Sequence, residues 1–223
     1  MSVLLLEMYF LQSLYFLYSI MKEAHFHRRN LPHIYMDESI YFITSRLKDS
    51  LPLSKILELK NRPDLKSVPK SKSDKYYKDR LLFKYYDQLL DKGESGEKLL
   101  SKNKVAIIVY NSLLHNHKKE YIVYCFCIMP NHFHIIFRHL ENARSIDKIM
   151  KSIKGFSSRE INKLLNRNGS IWQSESFDHI IRDEDELYRA INYVIMNPVK
   201  AGMVENWRDW KFTYVNKELF DIE

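Results

Sequence analysis

The stretch 121–137 (YIVYCFCIMPNHFHIIF) constrains this chain more than any other part of it. Two runs rich in apolar, β-branched and aromatic residues flank Met129-Pro130-Asn131. Proline fixes φ and asparagine tolerates turn geometry, so the segment reads as two adjacent strands joined by a turn. Side chains alternate across a strand, so His132 and His134 must point one way and Phe133 the other. Cys125 and Cys127, the only cysteines, are also held near-parallel and are poorly placed to bridge each other. The chain therefore has no disulfide framework, which suits a reducing cytoplasm.

Hydrophobic spacing supplies the neighbours of this pair. Residues 39–47 (SIYFITSRL) alternate as a strand, with Ile40, Phe42 and Thr44 on one face and Tyr41 and Ile43 on the other. Three- and four-residue spacing predicts helices over 76–90, 105–114 and 145–166, although Gly155 weakens the last by about 1 kcal/mol relative to alanine. The lysine- and serine-rich stretch 66–80 reads as a surface loop leading into a helix, and 171–182 (IWQSESFDHIIR) as a further strand. Asp183 is placed to cap a helix, with Glu186 three residues on and a stripe of Leu187, Ala190, Ile191 and Val194; Pro198 and Gly202 close it. The order strand, helices, strand, strand, helix, strand, helix predicts an α+β fold: a ferredoxin-like antiparallel sheet with helices packed on one face.

With 223 residues, 45% of them apolar and 13% aromatic, the chain can fill one core, and disorder throughout is excluded. Thirty-five Lys and Arg against 28 Asp and Glu leave a charge of +7, which suits a phosphate-bearing partner. The segment 3–20 is mostly apolar but holds Glu7 and Gln12, and no cation precedes it. Neither a signal peptide nor a membrane span is expected there, and Met21 reads as the natural start of the folded unit. The expected organisation is an extension over 1–27, one domain over 28–215 and a tail over 216–223.

Three groups of residues can carry chemistry. His132 and His134, at i and i+2 on a rigid strand, can offer two nitrogens to one cation, or can be ordinary hydrogen-bonded histidines. A zinc site shared with Cys125 and Cys127 is disfavoured by the apolar setting of the cysteines. Tyr193 and Asn197 share one face of the last helix, as a nucleophile with an oxygen ligand or as packing and helix termination. Lys148, Lys151 and Lys154 recur along one side of a helix, with Arg144 before them, as a solvated face or as a track for a nucleic-acid backbone.

Taken together, several segments resemble the REP-associated tyrosine transposases, a branch of the single-tyrosine HUH transposases. They are Met129 through Ile136 (MPNHFHII), Ile171-Trp172-Gln173, Phe177 through Arg182 (FDHIIR), and Tyr193 followed by Asn197 through Gly202 (NPVKAG). Leu31-Pro32-His33-Ile34 and Tyr41-Phe42-Ile43-Thr44 match as well, so the resemblance runs from about residue 28 to 214. It implies an HUH endonuclease fold with an additional C-terminal helix carrying the nucleophile. It implies a metal-dependent endonuclease and strand transferase acting on single-stranded DNA at palindromic hairpins, with a 5′-phosphotyrosine intermediate. His132 and His134 would hold Mg²⁺ or Mn²⁺, with Asn197 as third ligand and Tyr193 as nucleophile. Arg144, Lys148, Lys151, Lys154 and Lys200 would line the DNA path, Trp172 would stack a base, and Asp178, His179 and Arg182 would support the site. No small-molecule cofactor is expected, the assembly is a monomer or homodimer, and the setting is the cytoplasm. The competing expectation is a hairpin-binding protein whose chemistry has lapsed.

Overall fold

The structure is a computed structural model that describes residues 25–28, 32–35, 38–66, 71–93 and 95–220. The expectations for residues 1–20 and Met21 lie outside them. At the centre is a five-stranded antiparallel sheet in the order β6-β3-β5-β4-β7, with β3 Ile40–Arg46, β4 Tyr121–Ile128, β5 His132–His139, β6 Phe177–Ile181 and β7 Thr213–Val215. The first four of these neighbours form the arrangement of a ferredoxin-like fold. A separate hairpin pairs β1 (His25–Arg28) with β2 (Pro32–Tyr35).

Strand alternation sends each sheet residue to one of two cores. On one face Tyr41, Ile43, Val123, Phe126, Phe133 and Ile135 pack under helices α4 (Asn103–Leu114) and α5 (Ile146–Leu164). Those helices bury Val105, Ala106, Val109 and Leu113, and Ile146, Ile149, Met150, Ile153 and Ile161, which is the spacing of single helical faces. The opposite face carries Phe42, Cys125, Cys127 and Ile136 against helix α6 (Glu184–Ile195), through Ile191, Val194 and Ile195. Helix α3 (Lys72–Lys92) covers that second face as well, bringing Phe83 over Phe42 and Phe177. The expected helix pair thus occupies one face, and the helix carrying Tyr193 lies on the other.

Several local expectations change. The stretch 171–182 is a strand only over Phe177–Ile181. Before it, Ile171 and Trp172 drop into the first core, and the Nζ of Lys154 donates to the carbonyls of Gln173 and Ser174. The stretch 66–80 is largely helical: α3 begins at Lys72, preceded by α1 (Leu53–Lys60) and α2 (Pro63–Lys66). Arg62 stacks over the Tyr85 ring, whose hydroxyl donates to Asp64, and this ties α2 to α3. Asp183 caps α6 by accepting from the Glu186 amide, while Glu186 reaches back to the Arg182 amide and also to His179. Pro198 opens the short helix α7 (Asn197–Lys200) directly after α6, and Gly202, at φ +67°, closes it. After β3 the chain turns through Asp49 and Ser50 against Gly96; an added Cβ there would sit 2.7 Å from the Asp49 carbonyl oxygen, so only glycine fits. Cys125 and Cys127 are buried thiols on the second face, and burial pushes both thiols up, Cys127 to about 12.

Candidate active site

Strand β5 delivers His132 and His134 to the second face, both fully buried. Each ring is held from behind. Asn131 donates through Nδ2 to the Leu90 carbonyl on α3 (2.9 Å), which turns its Oδ1 to accept from His132 Nδ1 at 2.7 Å. Thr44 Oγ1, opposite His134 in the β3–β5 register, lies 2.7 Å from its Nδ1. With Nδ1 as the donor in each ring, the two Nε2 lone pairs face one another 3.1 Å apart. Burial and the neighbouring His134 push His132 down to about 3, against the opposing pull of Asp87, so it is neutral at physiological pH.

More acceptors converge on the same point. Asp87 Oδ1 from α3 is 3.3 Å from His134 Nε2, and Asp91 Oδ1, one helical turn on, is 3.8 Å from His132 Nε2. Asn197, fully buried at the start of α7, places its amide 3.3 Å from His134 Nε2. The Oδ1 atoms of Asp87, Asp91 and Asn197 are all buried and have no hydrogen-bond partner. Such atoms are rare in folded proteins and call for an explanation. Asp87, His132 and His134 form one cluster able to hold a metal ion. A divalent cation would take up the two lone pairs and the Asp87 oxygen at once, and the mixed nitrogen and oxygen set suits such an ion. The residues present therefore fit a metal. Burial outweighs the nearby charges for Asp91, whose carboxyl is pushed up to about 7 by burial and by Asp87. For Asp87 desolvation is the largest single effect and pushes upward, but His134, His132 and Lys200 together outweigh it, and its carboxyl lies below the usual range.

Tyr193, half-buried on α6, stands with its ring centroid 5.7 Å from that of His134 and 6.0 Å from that of Phe42. Phe83 closes over it from α3 at 6.0 Å. Lys200 Nζ sits 4.4 Å above the Tyr193 ring. The sequence-predicted His132, His134, Tyr193, Asn197 and Lys200 are thus brought together. Asp87 and Asp91 were missed; their only signal is a pair of acids at i and i+4 in phase with Phe83 and Leu90.

The other predicted residues lie elsewhere. Lys148, Lys151 and Lys154 line a groove of about 560 Å³ with Gly155, Glu175 and Asp178, on the sheet face opposite the histidines. Lys148 and Lys151 are exposed there. Lys154 is committed to the Gln173 and Ser174 carbonyls, and burial pushes it down to about 8. Trp172 corrects the stacking expectation: it is buried against Phe133, its indole donates to Ser157, and its ring is closed to a base. Arg144 forms a two-pronged pair with Glu120. His179, in register with Phe42 on the second face, pairs with Glu186, and Arg182 is exposed.

Residues 98–195 match the family described as Transposase IS200 like. The match spans 98 of the 223 residues. Within it lie both histidines, Phe133 and Tyr193, whereas Asp87, Asp91 and Asn197 fall outside. Over 102 residues the chain is 28% identical to a Haemophilus influenzae protein provisionally named a REP-associated tyrosine transposase, covering 42% of this chain and 58% of that one. Over 92 residues it is 26% identical to the REP-associated tyrosine transposase of Escherichia coli K12, covering 41% of this chain and 53% of the other. The chain thus spans about half the length of these curated relatives. A solved structure of a REP-associated tyrosine transposase bound to a REP hairpin is similar over 84% of this chain and 80% of its own, with TM-score 0.49 and 17% identity. Among the described residues no helix is long and apolar enough to cross a membrane.

Proposed function

We propose that this IS200-like protein is a metal-dependent single-stranded DNA endonuclease and strand transferase that acts at hairpin DNA through Tyr193, with residues 28–215 as the working unit. The observation that carries the reading is the meeting of Tyr193 with four buried donor side chains, His132, His134, Asp87 and Asn197, delivered by three further elements, β5, α3 and α7. His132, His134 and Asp87 would hold Mg²⁺ or Mn²⁺, joined by Asn197 once its amide presents Oδ1. Bound there, the ion supplies charge neutralisation and orientation of a scissile phosphate.

The chain's own groups do the rest. Asn131 and Thr44 fix the two imidazoles so that the Nε2 lone pairs point inward. The Lys200 ammonium, 4.4 Å from the Tyr193 ring, sets a positive charge beside the attacking group where a phosphate would lie. The phenolate oxygen attacks phosphorus, the bond from phosphorus to the 3′ oxygen breaks, and that oxygen leaves and takes up a proton. The product is a 5′-phosphotyrosine and a free 3′-hydroxyl, and attack by a 3′-hydroxyl on the same phosphorus reverses the step and rejoins DNA. Phe42 and Phe83 shield the tyrosine from water that would otherwise hydrolyse the adduct. Such an enzyme works on chromosomal DNA, hence in the cytoplasm.

The deciding experiment incubates the protein with end-labelled single-stranded hairpin DNA from its gene's flanks, with Mn²⁺ or with EDTA. A metal-dependent covalent adduct, absent in Tyr193→Phe, is the expected result. Hairpin binding without an adduct in either protein overturns it in favour of a binding-only protein.

A further inference from the structure

We propose that Asp91 is a further ligand of the metal centre, and that Asp87 and Asp91 together make helix α3 a cover that the bound ion clamps over Tyr193. The proposal rests on the reading of His132 and His134 as metal ligands, and carries it onto an element that the family match, 98–195, does not include.

The two aspartates stand four residues apart and therefore on one face of α3, the face that also bears Phe83 and Leu90. Both aim a buried Oδ1 without a hydrogen-bond partner at the imidazole pair: Asp87 reaches His134 at 3.3 Å and Asp91 reaches His132 at 3.8 Å. Each histidine thus has its own carboxylate from the same helix. Two imidazole nitrogens and two carboxyl oxygens make up the mixed donor set that one divalent cation takes. Without a ligand between them the Oδ1 atoms of Asp87 and Asp91 stay buried beside the imidazoles with no hydrogen-bond partner.

The same helix closes the site. Phe83 covers Tyr193 and stacks near Phe177, and the Leu90 carbonyl receives the Asn131 amide that orients His132. With His132, His134 and Asn197 fully buried and Asp87 nearly so, a phosphodiester reaches the donors only if α3 draws back. A phosphate oxygen can then take the coordination positions that the aspartates leave. The helix is thereby a competitor of the substrate for the ion, and entry of DNA exchanges carboxylate oxygens for phosphate oxygens.

The test measures Mn²⁺ binding to the full chain by calorimetry and by the electron paramagnetic resonance signal of free Mn²⁺. It also measures amide hydrogen exchange over residues 83–92 with and without Mn²⁺. Asp91→Asn keeps the shape of the side chain and is expected to weaken Mn²⁺ binding by at least about tenfold. Mn²⁺ should slow exchange along α3 in the wild type and much less in Asp87→Asn and Asp91→Asn. Unchanged affinity in Asp91→Asn, or exchange along α3 that ignores Mn²⁺, overturns the proposal. Failure of the underlying reading looks different: His132→Ala would then bind Mn²⁺ as the wild type does. If DNA cleavage requires His132 and Tyr193 while Asp91→Asn binds Mn²⁺ normally, the nuclease stands and the α3 clamp falls.

Discussion

The two faces of the central sheet are built by opposite rules. Under α4 and α5 the central buried polar groups are paired: the Trp172 indole donates to Ser157, Ser157 to the Ile153 carbonyl, and the Tyr121 hydroxyl to the Leu113 carbonyl. Under α3 and α6 one carboxyl oxygen each of Asp87 and Asp91 and the Asn197 amide oxygen are buried with nothing to accept from. One strand serves both sides, with Phe133 in the apolar core between two histidines that face the other way. Buried oxygens left without a partner and gathered beside one imidazole pair mark the second face as the one that takes a ligand.

The largest effect should come from Phe133, which is fully buried and packs edge-on to Trp172 at 5.2 Å. Phe133→Ala should cost about 3–5 kcal/mol of stability, read as a lower urea midpoint, with the same loss in EDTA and in Mn²⁺. A loss that depends on metal would mean that the faces are not separable. The complementary change, His132→Ala, removes a buried, hydrogen-bonded ring and so also lowers the metal-free midpoint, but unlike Phe133→Ala it should abolish the stabilisation by Mn²⁺. That stabilisation is about 2.7 kcal/mol in the wild type at a hundred times the dissociation constant, and thermal melts with and without the ion measure it.

These two residues also mark how far the sequence could be read. The alternation through 132–137 put Phe133 and the histidine pair on opposite faces, because strand periodicity is local and admits no other outcome. The face shared by Tyr193 and Asn197 followed from helical spacing in the same way, and the order of elements was enough for the ferredoxin-like sheet. Asp87 and Asp91 were not legible as donors, since nothing near them in the chain says which element their helix covers; only the tertiary placement of α3 sets them opposite β5. Trp172 failed for the related reason that nothing local to the strand read over 171–182 shows that Ser157, fifteen residues earlier, receives its indole. The edge strand β7, three residues long, is too short for periodicity to reveal.

Lys154 sharpens the comparison from the apolar side. Burial lowers its ammonium to about 8, with Arg46 adding to the shift and Glu175 opposing it. Between about pH 8 and the ordinary lysine value near 10.5 the unfolded chain holds a proton that the folded chain has released. Stability therefore rises with pH across that window, by an amount on the order of 1–2 kcal/mol once its two carbonyl partners are allowed for. Lys154→Met should remove the rise, as followed by urea midpoints at pH 8 and pH 10, and equal slopes in the two proteins would contradict the assignment. The same commitment makes Lys148 and Lys151, rather than Lys154, the residues for charge reversal in DNA-binding assays.

The smallest predicted effect tests whether the groove beside α5 is coupled to the site at all. Gly155 lies inside α5, where an added Cβ would meet only the Arg159 guanidinium at 3.6 Å, an ordinary contact. Gly155→Ala should therefore stabilise the fold by about 0.5–1 kcal/mol through the higher helix propensity of alanine, and calorimetric melting reads this as a small rise. The methyl group enters the groove lined by Lys148 and Lys151, on the face of the sheet away from Tyr193. If the faces act independently, the rate of adduct formation on saturating hairpin DNA stays at the wild-type value while the melting temperature rises. A slower adduct in a more stable protein would show that the α5 groove and the tyrosine are joined through the segment 173–176, which runs from Lys154 past the end of β3, where Ser176 meets Ser45.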